Sequence, residues 1–144
     1  MRRHLPARLA GVVVASLVGV AQTGEISSET DYDAAMKEVG ATFRALESDM
    51  EAREGEAVLA GTATLAGLFD QVQGFWESHN VPAAAAIATE AAEAARAIAS
   101  ALENQAFQEI APARDALGGA CQTCHTGYRE QVDGGGYRIK SGVL

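Results

Sequence analysis

Both cysteines of this 144-residue chain stand in one five-residue stretch near its C-terminus, Cys121-Gln122-Thr123-Cys124-His125. No disulfide can staple distant segments of such a chain, so its fold has to be organised by packing and by whatever that stretch binds. Two thiols at this spacing on a helix can add to the two vinyl groups of one c-type haem, while the next residue, His125, supplies an imidazole to the iron. Three other chemistries use similar pairs. A thioredoxin-like redox pair follows a strand in a βαβ unit, whereas residues 83–118 read as Ala-rich helix. A structural zinc site takes four ligands, and beyond residue 21 His79 is the one further Cys or His. A disulfide closing so short a loop constrains little of the unfolded chain.

The N-terminus points to a compartment. Arg2, Arg3 and Arg8 form a basic region, Leu9 to Val20 an apolar one, and Gly19-Val20-Ala21 a small-residue cleavage site, the layout of a secretory signal over residues 1–21. The apolar run is short for a transmembrane span; an uncleaved inner-membrane anchor is the alternative. Removing 1–21 takes three of the eleven basic residues and none of the nineteen acidic ones. A surface with eight basic against nineteen acidic side chains does not hold nucleic acid and is steered towards basic partners.

Helical signals fill the remainder, residues 22–144, as one domain. The first helix is expected from about Glu29 to Arg53, with Tyr32, Met36, Val39, Phe43, Leu46 and Met50 on one face. Ser28 or Thr30 is a candidate cap and Gly55 a candidate stop. A second helix is expected from about Glu56 to Ser78, ended by Asn80-Val81-Pro82, and a third, nearly all alanine, from Pro82 to Leu102. The fourth is expected from Asn104 to Gln131, with Pro112 in or near its first turn and the cysteine motif on the clean stretch beyond. Gly134 to Gly136 would then free a flexible, basic C-terminal tail from about residue 133. Short connections between four such helices predict an all-α, antiparallel four-helix bundle with covalently attached haem.

Three stretches carry a resemblance: Met36-Lys37-Glu38-Val39-Gly40, Phe75-Trp76, and Gly119 to Arg129 around the cysteines. With the four helices and a C-terminal haem motif, the chain resembles the class II cytochromes c, the cytochrome c-prime family and its low-spin relatives. The resemblance implies one haem c, with Cys121 and Cys124 as thioether residues and His125 as proximal iron ligand. Met36 matches the distal position, and its Met-Lys-x-x-Gly context is similar to low-spin members that place a methionine sulfur on the iron. Many high-spin members have an arginine one turn before that position; this chain has Tyr32. Met50 and His79 are the other candidate sixth ligands. Arg129, four residues after His125, is expected on the same helix face, and Phe75, Trp76 and Tyr128 are candidates for haem packing or plain core.

The resemblance implies a periplasmic single-electron carrier, not an enzyme, that docks on redox proteins with basic surfaces. The alternative it implies is a five-coordinate iron binding nitric oxide or carbon monoxide. It also implies a homodimer through the first two helices, where Gly61, Ala63 and Gly67 would permit close contact; such residues equally suit packing within one bundle.

Overall fold

The computed structural model describes residues 25–144, so the expected signal over 1–21 lies outside the described residues. Four helices follow one another: α1 (Glu29–Ala52), α2 (Gly55–Ser78), α3 (Pro82–Glu103) and α4 (Ile110–Tyr128). No helix among the described residues is long and apolar enough to cross a membrane. A 3-10 turn, Phe107–Glu109, leads into α4, and a short hairpin, β1 (Arg129–Gln131) with β2 (Tyr137–Ile139), follows it. The fold is the expected all-α bundle with a small antiparallel sheet added.

The corners share one device. Arg53, Asn80 and Gln105 each adopt a left-handed conformation, with φ of 60°, 58° and 57°. After each, the next amide donates to the carbonyl five residues back: Glu54 to Asp49, Val81 to Trp76 and Ala106 to Ala101, at 2.9, 3.0 and 2.8 Å. These bonds satisfy carbonyls that a helix end otherwise leaves open and reverse the chain within a few residues. The stop after α1 therefore falls on Arg53, and Gly55, the expected terminator, is the first residue of α2. Ser28 caps α1, its hydroxyl accepting from the Asp31 amide at 3.1 Å.

α3 shows why the helices draw together. Every buried residue on it except Ile98 is an alanine, so α2 and α4 pack against its two sides with little between the backbones. Leu46, Leu65, Ile98 and Leu117 complete the main core; full burial of such side chains stabilises by about 1.5–3 kcal/mol each. A second cluster gathers Ile26, Val72, Phe75, Trp76 and Ile139, and Met36 touches both. Gly61 packs inside the bundle, facing Leu46 of α1, whereas Ala63 is exposed and Gly67 has open space beside it.

Two expectations at the C-terminus need correction. α4 stops at Tyr128 instead of running to Gln131, and the segment after 133 does not leave the bundle. Arg129, Glu130 and Gln131 pair with Ile139, Arg138 and Tyr137, and Ile139 is buried in the second cluster. The glycines supply the turn: Gly134, Gly135 and Gly136 all have positive φ, which costs glycine nothing sterically. Lys140 then closes the end of α4, its amide donating to the Tyr128 carbonyl at 2.8 Å and its Nζ to the Thr126 carbonyl at 2.7 Å.

Candidate functional site

α1 packs on α2, α2 on α3 and α3 on α4, but α1 and α4 scarcely meet. Where they fail to close the ring lies a cleft of about 290 Å³. Tyr32, Met36, Val39, Gly40, Phe43 and Arg44 of α1 form one wall. Gly118, Ala120, Cys121, Gln122, Cys124 and His125 of α4 form the other. Phe69 and Val72 of α2 and Ile87, Ala88 and Ala91 of α3 make the floor. Small residues on α3 and at Gly40 and Gly118 keep the space open, so the alanines that tighten the α2–α3 contact also leave volume here.

The helical period explains the α1 wall. Tyr32, Met36, Gly40 and Arg44 recur every four residues, and Val39 and Phe43 fall beside them, which is one stripe of a helix. On α4, Cys121, Cys124 and His125 share a face by the same three- and four-residue steps. The structure thus brings together all four residues read as site residues: the two thiols and the imidazole on one wall, the Met36 thioether on the other.

Burial sets the chemistry of these groups. It pushes both the Cys121 and Cys124 thiols above the ordinary thiol range, since a thiolate is poorly solvated in an apolar cleft. A redox pair of the thioredoxin kind depends on a depressed thiol pKa, the opposite of what this cleft imposes. Burial, and then the neighbouring Arg129 charge, hold the His125 imidazole below its usual range. It is therefore neutral near pH 7, with a lone pair to offer a metal. Burial likewise drives the Tyr32 phenol well above its usual range, and the adjacent Cys124 sulfur adds to the effect.

Several expected neighbours stand elsewhere. Arg129 is not on the His125 helix face: it opens β1, with its guanidinium carbon 4.0 Å from the centroid of the Tyr137 ring. His79 stays at the end of α2, Nδ1 donating to the Phe75 carbonyl at 2.8 Å and its ring 4.3 Å from Phe75. Met50 packs on the main core away from the cleft lining. Phe75 and Trp76 are core residues, yet they touch the site indirectly. The Tyr32 ring, which does line the cleft, lies 4.8 Å from Phe75 and 5.4 Å from Trp76, and Tyr128 of α4 lies 5.4 Å from Trp76. Aromatic contact through Trp76 thus ties α1 to α4 at this end. The Trp76 Nε1 is buried without a hydrogen-bond partner.

Arg44, Gln122 and the floor residues were not foreseen from sequence. Arg44 had a usable signal, its position eight residues after Met36; the floor had none, because α2 and α3 reach the cleft only through the bundle's packing. Among the described residues no group of three or more His, Cys, Asp or Glu converges to hold a metal ion. Cys121, Cys124, His125 and Met36 instead offer two nucleophilic sulfurs, one nitrogen and one thioether around an apolar volume, donors that suit a soft or borderline transition metal carried in an apolar framework. Compared with known proteins, this chain matches no protein-family model, no curated protein and no solved structure.

Proposed function

We propose that this protein is a class II c-type cytochrome that carries single electrons in the periplasm. The observation that carries the proposal is that Cys121, Cys124, His125 and Met36, the last of them distant in sequence from the others, line the same apolar cleft. The donor set fits a haem: two thiols for its vinyl groups, an imidazole and a thioether for its iron, and apolar side chains for its faces. When bound, the haem supplies a ferric–ferrous couple.

The protein's part is to hold, orient and enclose. Cys121 and Cys124 would fix the haem edge to α4, and His125, one residue further, presents its neutral nitrogen from the same wall. Met36 presents its sulfur from α1. Met36 and His125 sit on helices packed into the core, so neither wall would have to move if a bound iron changed its charge. Phe43, Val39, Phe69 and Ile87, which line the cleft, would keep water from a bound haem. An excess of acidic over basic side chains steers the protein to basic partner surfaces.

Expression in a host able to attach haem c tests this directly. The mass of the purified protein should rise by one haem that survives denaturation, and its absorption should be low-spin, with a weak long-wavelength band from sulfur–iron ligation in the ferric form. Met36→Ala should convert it to a high-spin spectrum that responds at once to carbon monoxide. A wild type that already behaves so is a gas-binding protein and not a carrier. Absence of covalent haem sinks the proposal outright.

A further inference from the structure

The cleft lining contains one cationic side chain, Arg44. It stands on the α1 wall, across from the thiols. Its guanidinium folds back along the helix, with Nη1 3.5 Å from where a β-carbon on Gly40 would stand. Gly40 makes that position available, because a long side chain there would take the guanidinium's place.

Most of the other cations have partners. Arg96 pairs with Asp70, Arg114 with Glu47 and Asp115, Arg138 with Glu130, and Lys37 with Asp33. Arg129 stacks on Tyr137 and Lys140 binds the end of α4. Among the described residues, Arg44 and Arg53 are in no ion pair, and Arg53 sits at the α1–α2 corner, outside the cleft lining. In a chain with nineteen acidic residues against eleven basic ones, an arginine left without a carboxylate at an apolar cleft marks where an outside anion belongs. The guanidinium suits that role, being planar, weakly hydrated and able to grip a carboxylate with two parallel hydrogen bonds.

The occupant is therefore apolar over most of its surface and anionic along one edge. A haem is built this way, with its two vinyl groups on one edge and its two carboxylates on the opposite one. Cys124, one of the thiols that would take the vinyl edge, lies against Tyr32 at one end of the α1 stripe, and Arg44 stands about three helical turns along that stripe, at its other end. Resting on the reading of this cleft as a haem site, we infer that Arg44 anchors a haem carboxylate at the cleft mouth.

The test uses the purified, haem-loaded full chain and its variants Arg44→Gln, Arg44→Ala and Arg44→Lys. Arg44 is exposed, so these substitutions leave the core intact, and helical circular dichroism checks that they do. Two readouts are taken: the resonance Raman bending band of the haem carboxylates, and the ferric-to-ferrous ratio at a fixed applied potential. Arg44→Gln and Arg44→Ala should shift the Raman band and raise the ferric-to-ferrous ratio roughly three- to fivefold, the scale of one exposed charge pair. Arg44→Lys should preserve most of the ratio but shift the band, because an ammonium lacks the two-pronged grip. An unchanged band overturns the anchor whatever the ratio does, since a ratio change alone is the effect of any nearby charge. A chain that carries no haem overturns the functional reading itself, an outcome seen in the mass spectrum before any Arg44 variant is compared.

Discussion

The two ends of the α1–α4 seam are closed by different forces. At one end Tyr32 of α1 and Tyr128 of α4 each stand 5.4 Å from the Trp76 ring of α2, and Ile139 of the hairpin is buried with Trp76 in the same cluster. At the other end Glu47 of α1 pairs with Arg114 of α4, with the Arg114 side chain exposed to water and that of Glu47 half-buried. The first closure is desolvated and shared among many side chains. The second is a surface ion pair, whose value is about 0–1 kcal/mol. Cys124 lies against Tyr32, towards the aromatic end, so the α4 wall around Cys124 and His125 is held by packing, while the stretch of α4 before Cys121 is tied to α1 by charge.

The comparison breaks most sharply at Trp76. Truncation to alanine removes the ring that both tyrosines rest on, and large aromatic-to-alanine changes in a core cost about 3–5 kcal/mol. Chemical denaturation should show a loss of that size for Trp76→Ala. Trp76→Phe should cost less than half as much, because a phenyl ring still fills most of the space between the two tyrosines. An equal loss for both would mean that Nε1 does hold a structural bond.

Ile139→Ala probes the same end from the hairpin. Its burial is peripheral, so the cost should fall at the low end of the isoleucine range, about 2 kcal/mol. The telling measurement is hydrogen exchange: the last amides of α4 should lose protection while those of α3 do not, because docking of β2 is what brings Lys140 to the Tyr128 and Thr126 carbonyls.

That hairpin is also where sequence reading failed, and the reason is physical. Helices α1 to α3 were legible to within a residue or two, because each carries a helical apolar stripe and ends at a break such as Asn80-Val81-Pro82. Residues 129–131 carry no strand signal of their own; three residues become a strand only because Tyr137 to Ile139 are folded back beside them. The glycines at 134–136 look locally like release, and only the buried Ile139 turns that release into a turn. In the site, the α4 thiols and imidazole were legible as chemistry, since one short stretch contains them. Met36 was singled out by resemblance, and its place across the cleft follows from the packing of α1. Arg44 escaped notice because a charged residue on a helix is ordinarily just solvated, and its meaning depends on which neighbour is missing.

A smaller effect sits where α1 begins, on the aromatic side. Ser28→Ala removes the cap and should cost about 1 kcal/mol near neutral pH. The Ser28 hydroxyl, followed by the side chain and amide of Ser27, donates to the Asp31 carboxylate and holds it below the usual carboxylate range. A depressed folded-state pKa means that this stabilisation is complete above the unfolded-state value, about 4, and is lost as the pH falls through the folded-state value. The penalty of Ser28→Ala should therefore shrink below about pH 4, measured as the difference between wild-type and variant denaturation midpoints across an acid series.

The smallest effect should be at the ionic end. Arg114→Ala breaks the bond to Glu47 and also the weaker one to Asp115, 3.2 Å away on its own helix. Exposure and side-chain entropy limit the loss to under about 1 kcal/mol, and added salt, which confines charge interactions to within about 10 Å at roughly 0.1 M, should reduce it further. The aromatic variants should show no such salt dependence, because their losses come from apolar packing. If Arg114→Ala instead costs as much as Ile139→Ala and ignores salt, then the ion pair is part of the core's closure and the two ends of the seam are alike. If the loss is small and salt-sensitive, the two ends do differ: apolar packing closes the His125 end, and a surface charge pair ties the stretch before Cys121 to α1.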